Sequence, residues 1–349
     1  MSTPSAGAAT PGIAPEAVGQ WLTGVVPEAT GPIDFARVGD GRSNLTYTAT
    51  DAAGRSWVVR RPPLGKRLRG AHDMAREFQI LSALSPSPVP VPEPLGLCSD
   101  ETVTGAPFYV MERVPGRVLS TVADVEAYDA QRRAAVARSL VESLVELHRF
   151  DVEGTTLATL GPNQGYAERQ LRGWWRQWEA SHTCERPAVR RIRDALAGSV
   201  PPQRRTALVH GDYRLDNVVV SEEGRVNAIL DWELCTLGDP TADLGTLLTY
   251  WVQPGDPVEW SVDGEQAPTR AAGLPTRAEV AEAYAEVAGA PATSLVYYEA
   301  LGCWRLAIIA QGVARRYEET PENATLDTGV VHRLRDAMLD RAERLVAAL

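Results

Sequence analysis

Between residues 33 and 61 apolar and polar positions alternate in three short runs, 33–38, 45–50 and 56–61. Gly39-Asp40-Gly41 and Asp51-Ala52-Ala53-Gly54 separate them. Period-two runs bounded by glycine and aspartate predict strand, turn, strand, turn, strand. Pro62-Pro63 ends the third strand, and 71–84 then places Met74, Phe78, Ile80, Leu81 and Leu84 at helical spacing. A proline-punctuated stretch, 85–94, leads to two more extended runs, 95–98 and 107–114, before Pro115-Gly116 marks a boundary. Beyond it the segments 125–149, 167–181, 188–197, 277–288, 294–317 and 327–349 carry apolar residues at three- and four-residue steps, the period of a helix. Only 207–220 and 225–230 look strand-like there.

The expected fold class is therefore α+β: a flexible tail over 1–20, a small antiparallel-sheet lobe with one helix over 21–114, and a larger, mainly helical lobe over 115–349. A cleft is expected where the lobes join, near Val114.

Composition narrows this picture only at its edges. The 349 residues, 44% hydrophobic and 23% charged, are enough for two packed lobes. A net charge of −10 argues against nucleic acid or an anionic membrane as a partner. Cys98, Cys184, Cys235 and Cys303 lie far apart without a Cys-x-x-Cys pair, so each reads as a small buried apolar residue. The first twenty residues lack the basic start and apolar stretch of a signal peptide, and no later run is long enough to span a bilayer. A cytoplasmic location is expected; oligomeric state is not legible. Lys66 is the only lysine.

The chemistry is concentrated in His210-Gly211-Asp212-Tyr213-Arg214-Leu215-Asp216-Asn217, with Asp231 following an apolar run. This spacing fits the kinase catalytic loop, His-x-Asp-x-x-x-x-Asn, followed by a second magnesium carboxylate. Asp212 is expected to take or orient the proton of an acceptor hydroxyl, and Asn217 and Asp231 to hold Mg2+. Arg214 is a candidate for contacting the transferred phosphoryl group. Asp212, Asp216 and Asn217 would equally suit a plain turn, but a turn does not account for Asp231 at the end of the next strand. His210 reads as structural, since Asp212 already fills the base role.

In the small lobe, Gly39-Asp40-Gly41-Arg42-Ser43-Asn44 sits between two strands, where glycines let backbone N–H groups approach phosphates and Gly39, Gly41, Ser43 and Asn44 are candidate nucleotide contacts. A kinase also needs a strand cation paired with a helix glutamate. Arg60 and Glu77 are the candidates, with Arg61 a one-residue alternative, because Lys66 lies past Pro62-Pro63. Trp174, Trp175 and Trp178 share a helical face and read first as core, second as a stacking platform. Asp239-Pro240 reads as a turn and Asp243 as a cap or loop anchor, with a substrate role the alternative.

Taken together, His210-Gly211-Asp212, Asn217, Ile229-Leu230-Asp231-Trp232-Glu233, Gly238-Asp239-Pro240 and Asp243-Leu244 resemble the aminoglycoside phosphotransferase-like family. Ser43-Asn44-Leu45-Thr46-Tyr47, Val59-Arg60-Arg61-Pro62-Pro63 and Arg76-Glu77-Phe78 look closest to the subgroup that occurs as a kinase domain fused to acyl-CoA dehydrogenases, where the strand position is typically arginine. The resemblance implies a protein-kinase-like bilobal fold, ATP and magnesium, and phosphorylation of a small-molecule hydroxyl. It also implies an adenine-contacting hinge at Met111, Glu112, Arg113 and Val114. An aminoglycoside phosphotransferase, a hydroxyacyl-CoA kinase and a non-catalytic nucleotide-binding module remain the alternatives.

Overall fold

In a computed structural model, residues 10–39, 44–64, 73–321 and 324–349 are described. Gly41, Ser43 and Lys66 lie outside them. The chain divides into two units, Met1–Pro115 and Gly116–Leu349.

The first unit is built on a five-stranded antiparallel sheet in the order β1-β2-β3-β5-β4, from β1 (Asp34–Val38), β2 (Leu45–Thr50), β3 (Ser56–Arg61), β4 (Pro94–Cys98) and β5 (Phe108–Glu112). Successive side chains on a strand face opposite ways. Tyr47, Ala49, Trp57 and Val59 therefore form one buried face, packed with Val18 and Leu22 of helix α1 (Pro15–Val25). The edge of Trp21 meets the Phe108 ring with centroids 4.9 Å apart. This helix corrects the expectation of a flexible tail over residues 1–20 from Pro15 onward, while residues 1–9 lie outside the described residues. Pro15 at its first turn and the stripe Val18, Trp21, Leu22 are helix signals, but they straddle the boundary drawn after residue 20 and follow an Ala- and Pro-rich start. Helix α2 (Met74–Leu84) is capped by Asp73, whose carboxylate accepts from Arg76 N at 3.1 Å.

In the second unit, helices α3 (Val122–Glu126), α4 (Ala130–Arg149), α5 (Tyr166–Ser181) and α6 (Pro187–Gly198) precede the strands β6 (Ala207–Val209), β7 (Val218–Val220), β8 (Val226–Ile229) and β9 (Thr236–Gly238). β6 pairs with β9 and β7 with β8, both antiparallel. Helices α7 (Thr241–Tyr250), α8 (Arg277–Ala288), α9 (Leu295–Glu319) and α10 (Thr328–Val346) complete it. The core runs along α9, where Tyr298, Leu301, Trp304 and Ile308 pack with Leu171, Ile192 and Met338. α7 was not expected. Its first nine residues are all buried, so it has no polar face and no amphipathic period to read.

The α+β expectation, a small antiparallel-sheet unit and a larger helical one, holds. Three of the cysteines are buried as expected, but Cys184 is exposed, since it lies in the link between α5 and α6 rather than in a packed element. Among the described residues no helix is long and apolar enough to cross a membrane.

Candidate functional site

The segment after β6 is held in place before any chemistry is considered. Asp243, in the first turn of α7 and fully buried, accepts hydrogen bonds from His210 N at 2.6 Å and Gly211 N at 2.8 Å, and from His148 Nε2 at 3.2 Å. Burial pushes its carboxyl up, but the hydrogen bonds from His148 and from the Gly211 N–H hold it below the ordinary value. Of the two roles read for Asp243, the geometry is that of the anchor. Gly211 is required at the turn: its φ is +84°, and a Cβ there would lie 2.6 Å from Leu234 O.

His210 is likewise engaged in structure. Leu230 O can only accept, so Nε2 carries the proton of the 2.8 Å bond, and Nδ1 accepts from Asp212 N at 3.2 Å. Leu230 N in turn donates to Asn217 O at 2.8 Å. These two bonds join the loop to the end of β8, so that Asp231 is fixed beside Asn217. Asp231 has a left-handed backbone, with φ of +66°. That conformation is uncommon for a residue with a side chain, and strain of this kind clusters at functional sites.

The side chains of the loop divide Asp212 into two unlike edges. Asn217 Nδ2 donates to Asp212 O at 2.8 Å and to Asp212 Oδ2 at 3.0 Å. Arg214 Nε stands 3.5 Å from the same Oδ2, while its Nη1 pairs with Asp216 at 2.8 Å and its guanidinium lies 4.8 Å from the centre of the Tyr250 ring. Burial opposes the charge on Arg214, but Asp216 and Asp212 outweigh it and raise its pKa. Burial also raises the Asp216 carboxyl, against the pull of Arg214. Oδ1 of Asp212 accepts no hydrogen bond among the described residues; its neighbour is Arg305 Nη2 at 3.6 Å. A small cavity beside Arg214 is lined by Asp216, Tyr250, Ser261, Asp263 and Thr269. Burial, and next the negative charge of Asp212, push the Tyr250 phenol up to about 12.

The described residues also fit a bound magnesium ion. Both amide protons of Asn217 are directed at Asp212, which leaves Oδ1 as its free ligand atom, and Asp231 supplies a carboxylate close by in sequence to the bonded Leu230. Mg2+ prefers oxygen and is held in phosphoryl-transfer sites by one or two protein groups together with substrate phosphates.

In the first unit, the register places Thr46, Arg60 and Tyr109 side by side across β2, β3 and β5. Glu77, 1% exposed in the first turn of α2, receives Arg60 Nε at 2.9 Å, Asn44 Nδ2 at 2.9 Å and Tyr109 OH at 3.1 Å. Arg61 points to the other face, where it donates to the carbonyls of Gly12, Pro62 and Thr104. Arg60 rather than Arg61 is thus the partner of Glu77. Gly39 takes a left-handed φ of +65°. Met111 is buried at the end of β5, Glu112 and Arg113 are exposed, and Val114 is half-buried.

Sequence reasoning did not single out Arg305 among the arginines of the later helices. Its signal was a single charge inside the apolar run Leu301, Cys303, Trp304, Leu306, Ala307 of α9, where a cation is buried only at need. Of the three tryptophans, Trp178 is core, whereas the half-buried Trp174 has the Arg305 guanidinium 5.3 Å from its ring centre and Trp175 has Arg193 at 4.0 Å.

This fold, an antiparallel sheet unit and a helical unit, is that of the kinase-like phosphotransferases. Against a Ralstonia eutropha protein classed with the aminoglycoside phosphotransferases the TM-score is 0.79, at 29% identity, covering 95% of this chain and 98% of the other. An aminoglycoside phosphotransferase solved with AMP-PNP and hygromycin B matches with a TM-score of 0.58 at 17% identity, over 93% of this chain and 98% of that one. The chain belongs to the phosphotransferase enzyme family, which matches residues 34–286. It is also 36% identical over 311 residues to acyl-CoA dehydrogenase family member 10 of Mus musculus, covering 88% of this chain and 29% of that protein. The chain spans 29% to 42% of the length of the first curated relatives it matches.

Proposed function

We propose that the chain transfers the terminal phosphoryl group of ATP to a hydroxyl of a small molecule. The observation that carries this reading is Asp212, with Oδ2 fixed by Asn217 and Oδ1 open to an incoming donor. The acceptor hydroxyl donates to Oδ1, and its oxygen bonds to the terminal phosphorus. The bond from that phosphorus to the bridging oxygen breaks, ADP leaves with the electron pair, and the hydroxyl proton passes to Asp212. Arg214 steadies charge on the transferring group. Asn217 and Asp231 would hold Mg2+, which supplies charge neutralisation on the phosphates.

Arg60, held by Glu77, contacts nucleotide phosphate, with Gly39, Gly41, Ser43 and Asn44 around it and Met111, Glu112, Arg113 and Val114 against the base. A cytoplasmic location is part of the same proposal. ADP release from purified protein, ATP, Mg2+ and a panel of sugars, amino alcohols, hydroxy acids, hydroxyacyl thioesters and aminoglycosides tests the proposal. Turnover with any acceptor that vanishes in Asp212→Asn supports it; equal turnover in that variant would sink it.

A further inference from the structure

The two edges of Asp212 make different offers. Oδ2 is engaged by Asn217 and faced by Arg214. Among the described residues Oδ1 has only Arg305, whose Nη2 is 3.6 Å away, too far for a hydrogen bond. Arg305 is 8% exposed, and that Nη2 is a buried donor without a hydrogen-bond acceptor among the described residues. Arg214 Nε is in the same condition.

A buried guanidinium carries five donors in a rigid fork and is costly to desolvate unless an anion meets it. Asp216 does not supply that anion, because it is paired with Arg214. Asp212 serves only in part, facing two guanidiniums at once. Trp174 holds the Arg305 head from one side, 5.3 Å from its ring centre, which fixes where the remaining donors point. The free oxygen that would receive an acceptor's hydroxyl proton is thus the oxygen beside an unsatisfied buried cation.

The geometry points to an acceptor that carries an anionic group, a carboxylate or a phosphate, close to the hydroxyl that is phosphorylated, with Arg305 receiving that group. This rests on the phosphotransfer reading and names the substrate class of the same site. A hydroxyl donating to Oδ1 comes within a few ångströms of Arg305. A neighbouring carboxylate or phosphate then completes its hydrogen bonds in a fork-to-fork pair, and an uncharged analogue leaves them open. A cationic acceptor meets Arg305 and Arg214 with like charge. Arg305 acts on acceptor choice, while Asp212 and Arg214 act on the reacting atoms.

The test pairs each acceptor with a neutral twin: hydroxy acids against their primary amides, and phosphate-bearing alcohols against the dephosphorylated alcohols, beside amino alcohols and aminoglycosides, all by ADP release with the full chain. Loss of a charge-assisted hydrogen bond predicts that the anionic member of at least one pair is preferred roughly 10- to 100-fold in kcat/KM. Arg305→Met should collapse that ratio towards one, mainly through KM for the anionic acceptor, and Arg305→Lys should restore part of it.

The hydroxy-acid and phosphate pairs separate the two kinds of anion. A ratio near one in the unaltered protein, or one unchanged in Arg305→Met, overturns the inference while leaving phosphotransfer intact. So does a preference for cationic acceptors, which Asp216 and Asp263 would favour. Should Arg305→Met fail to fold, the ratio in the unaltered protein and in Arg305→Lys still decides. If no acceptor of any charge gives ADP above the Asp212→Asn blank, both readings fall together.

Discussion

Asn217 donates one amide nitrogen to both the backbone carbonyl and the Oδ2 of Asp212, at 2.8 and 3.0 Å, so a single side chain sets the orientation of the carboxylate and turns its own oxygen away. Asp212→Asn keeps the shape but cannot accept the proton, and kcat is expected to fall by about 10²- to 10⁴-fold. Asn217→Ala frees the carboxylate to rotate and, on the proposed reading, removes a ligand of Mg2+. Its activity should fall too, but partly recover at raised Mg2+. Magnesium titrations of ADP release on the two variants distinguish them, and recovery of Asp212→Asn by magnesium would contradict the assignment.

Glu77 gathers Arg60, Asn44 and Tyr109 in a buried cluster. Breaking a buried pair from one side leaves an uncompensated charge, a loss of about 3–5 kcal/mol. Glu77→Ala should therefore lower the thermal midpoint markedly, and nucleotide affinity with it. The double variant Glu77→Ala/Arg60→Met should be more stable than Glu77→Ala alone while binding nucleotide no better. Calorimetric unfolding and nucleotide titration read the two effects separately.

Gly211 occupies a left-handed turn against Leu234 O, where a Cβ would lie 2.6 Å away. Gly211→Ala should destabilise by about 1–3 kcal/mol from backbone strain alone. Because the same residue donates to Asp243, the shift should also displace Asp212 and reduce turnover beyond the loss of folded protein. Activity per folded molecule, with folding followed by circular dichroism, checks this.

Asp51 closes the turn between β2 and β3, accepting from Thr30 N, Ala53 N, Arg55 N and Arg55 Nε. Burial pushes its carboxyl up, but the Arg55 and Thr30 hydrogen bonds outweigh this and bring it from 3.8 to about 2. A carboxyl held low in the folded state stabilises above its unfolded value and loses that contribution as pH falls through its folded value. Acid should therefore weaken this unit between pH 3.8 and about 2. Urea midpoints of Asp51→Asn measured across that window should show a flatter pH dependence than the unaltered chain.

Much of the framework was legible because its signals are local. β2 and β3 begin and end where the alternation and the Asp51–Gly54 turn put them, and α8 is bounded as its period predicted, with the capping box of Thr276 and Glu279 at its start. The order of Asp212, Arg214 and Asn217 was equally plain, since all lie within one short loop. α7 escaped because burial on every side erases the period, and α1 because three turns of stripe follow a low-complexity start.

The sequence by itself determined which residue types are available at which spacing: the strands, the amphipathic helices, and an Asp and Asn at the distance that kinase chemistry needs. Only the tertiary structure decided which of two adjacent arginines meets Glu77, that Asp243 is the anchor of the Asp212 loop, and that Arg305 of a distant helix stands beside Asp212 Oδ1. The reason is physical. Periodicity and turn chemistry act between neighbours in the chain, whereas charges are paired or left unsatisfied by packing, which brings together residues that no local pattern connects.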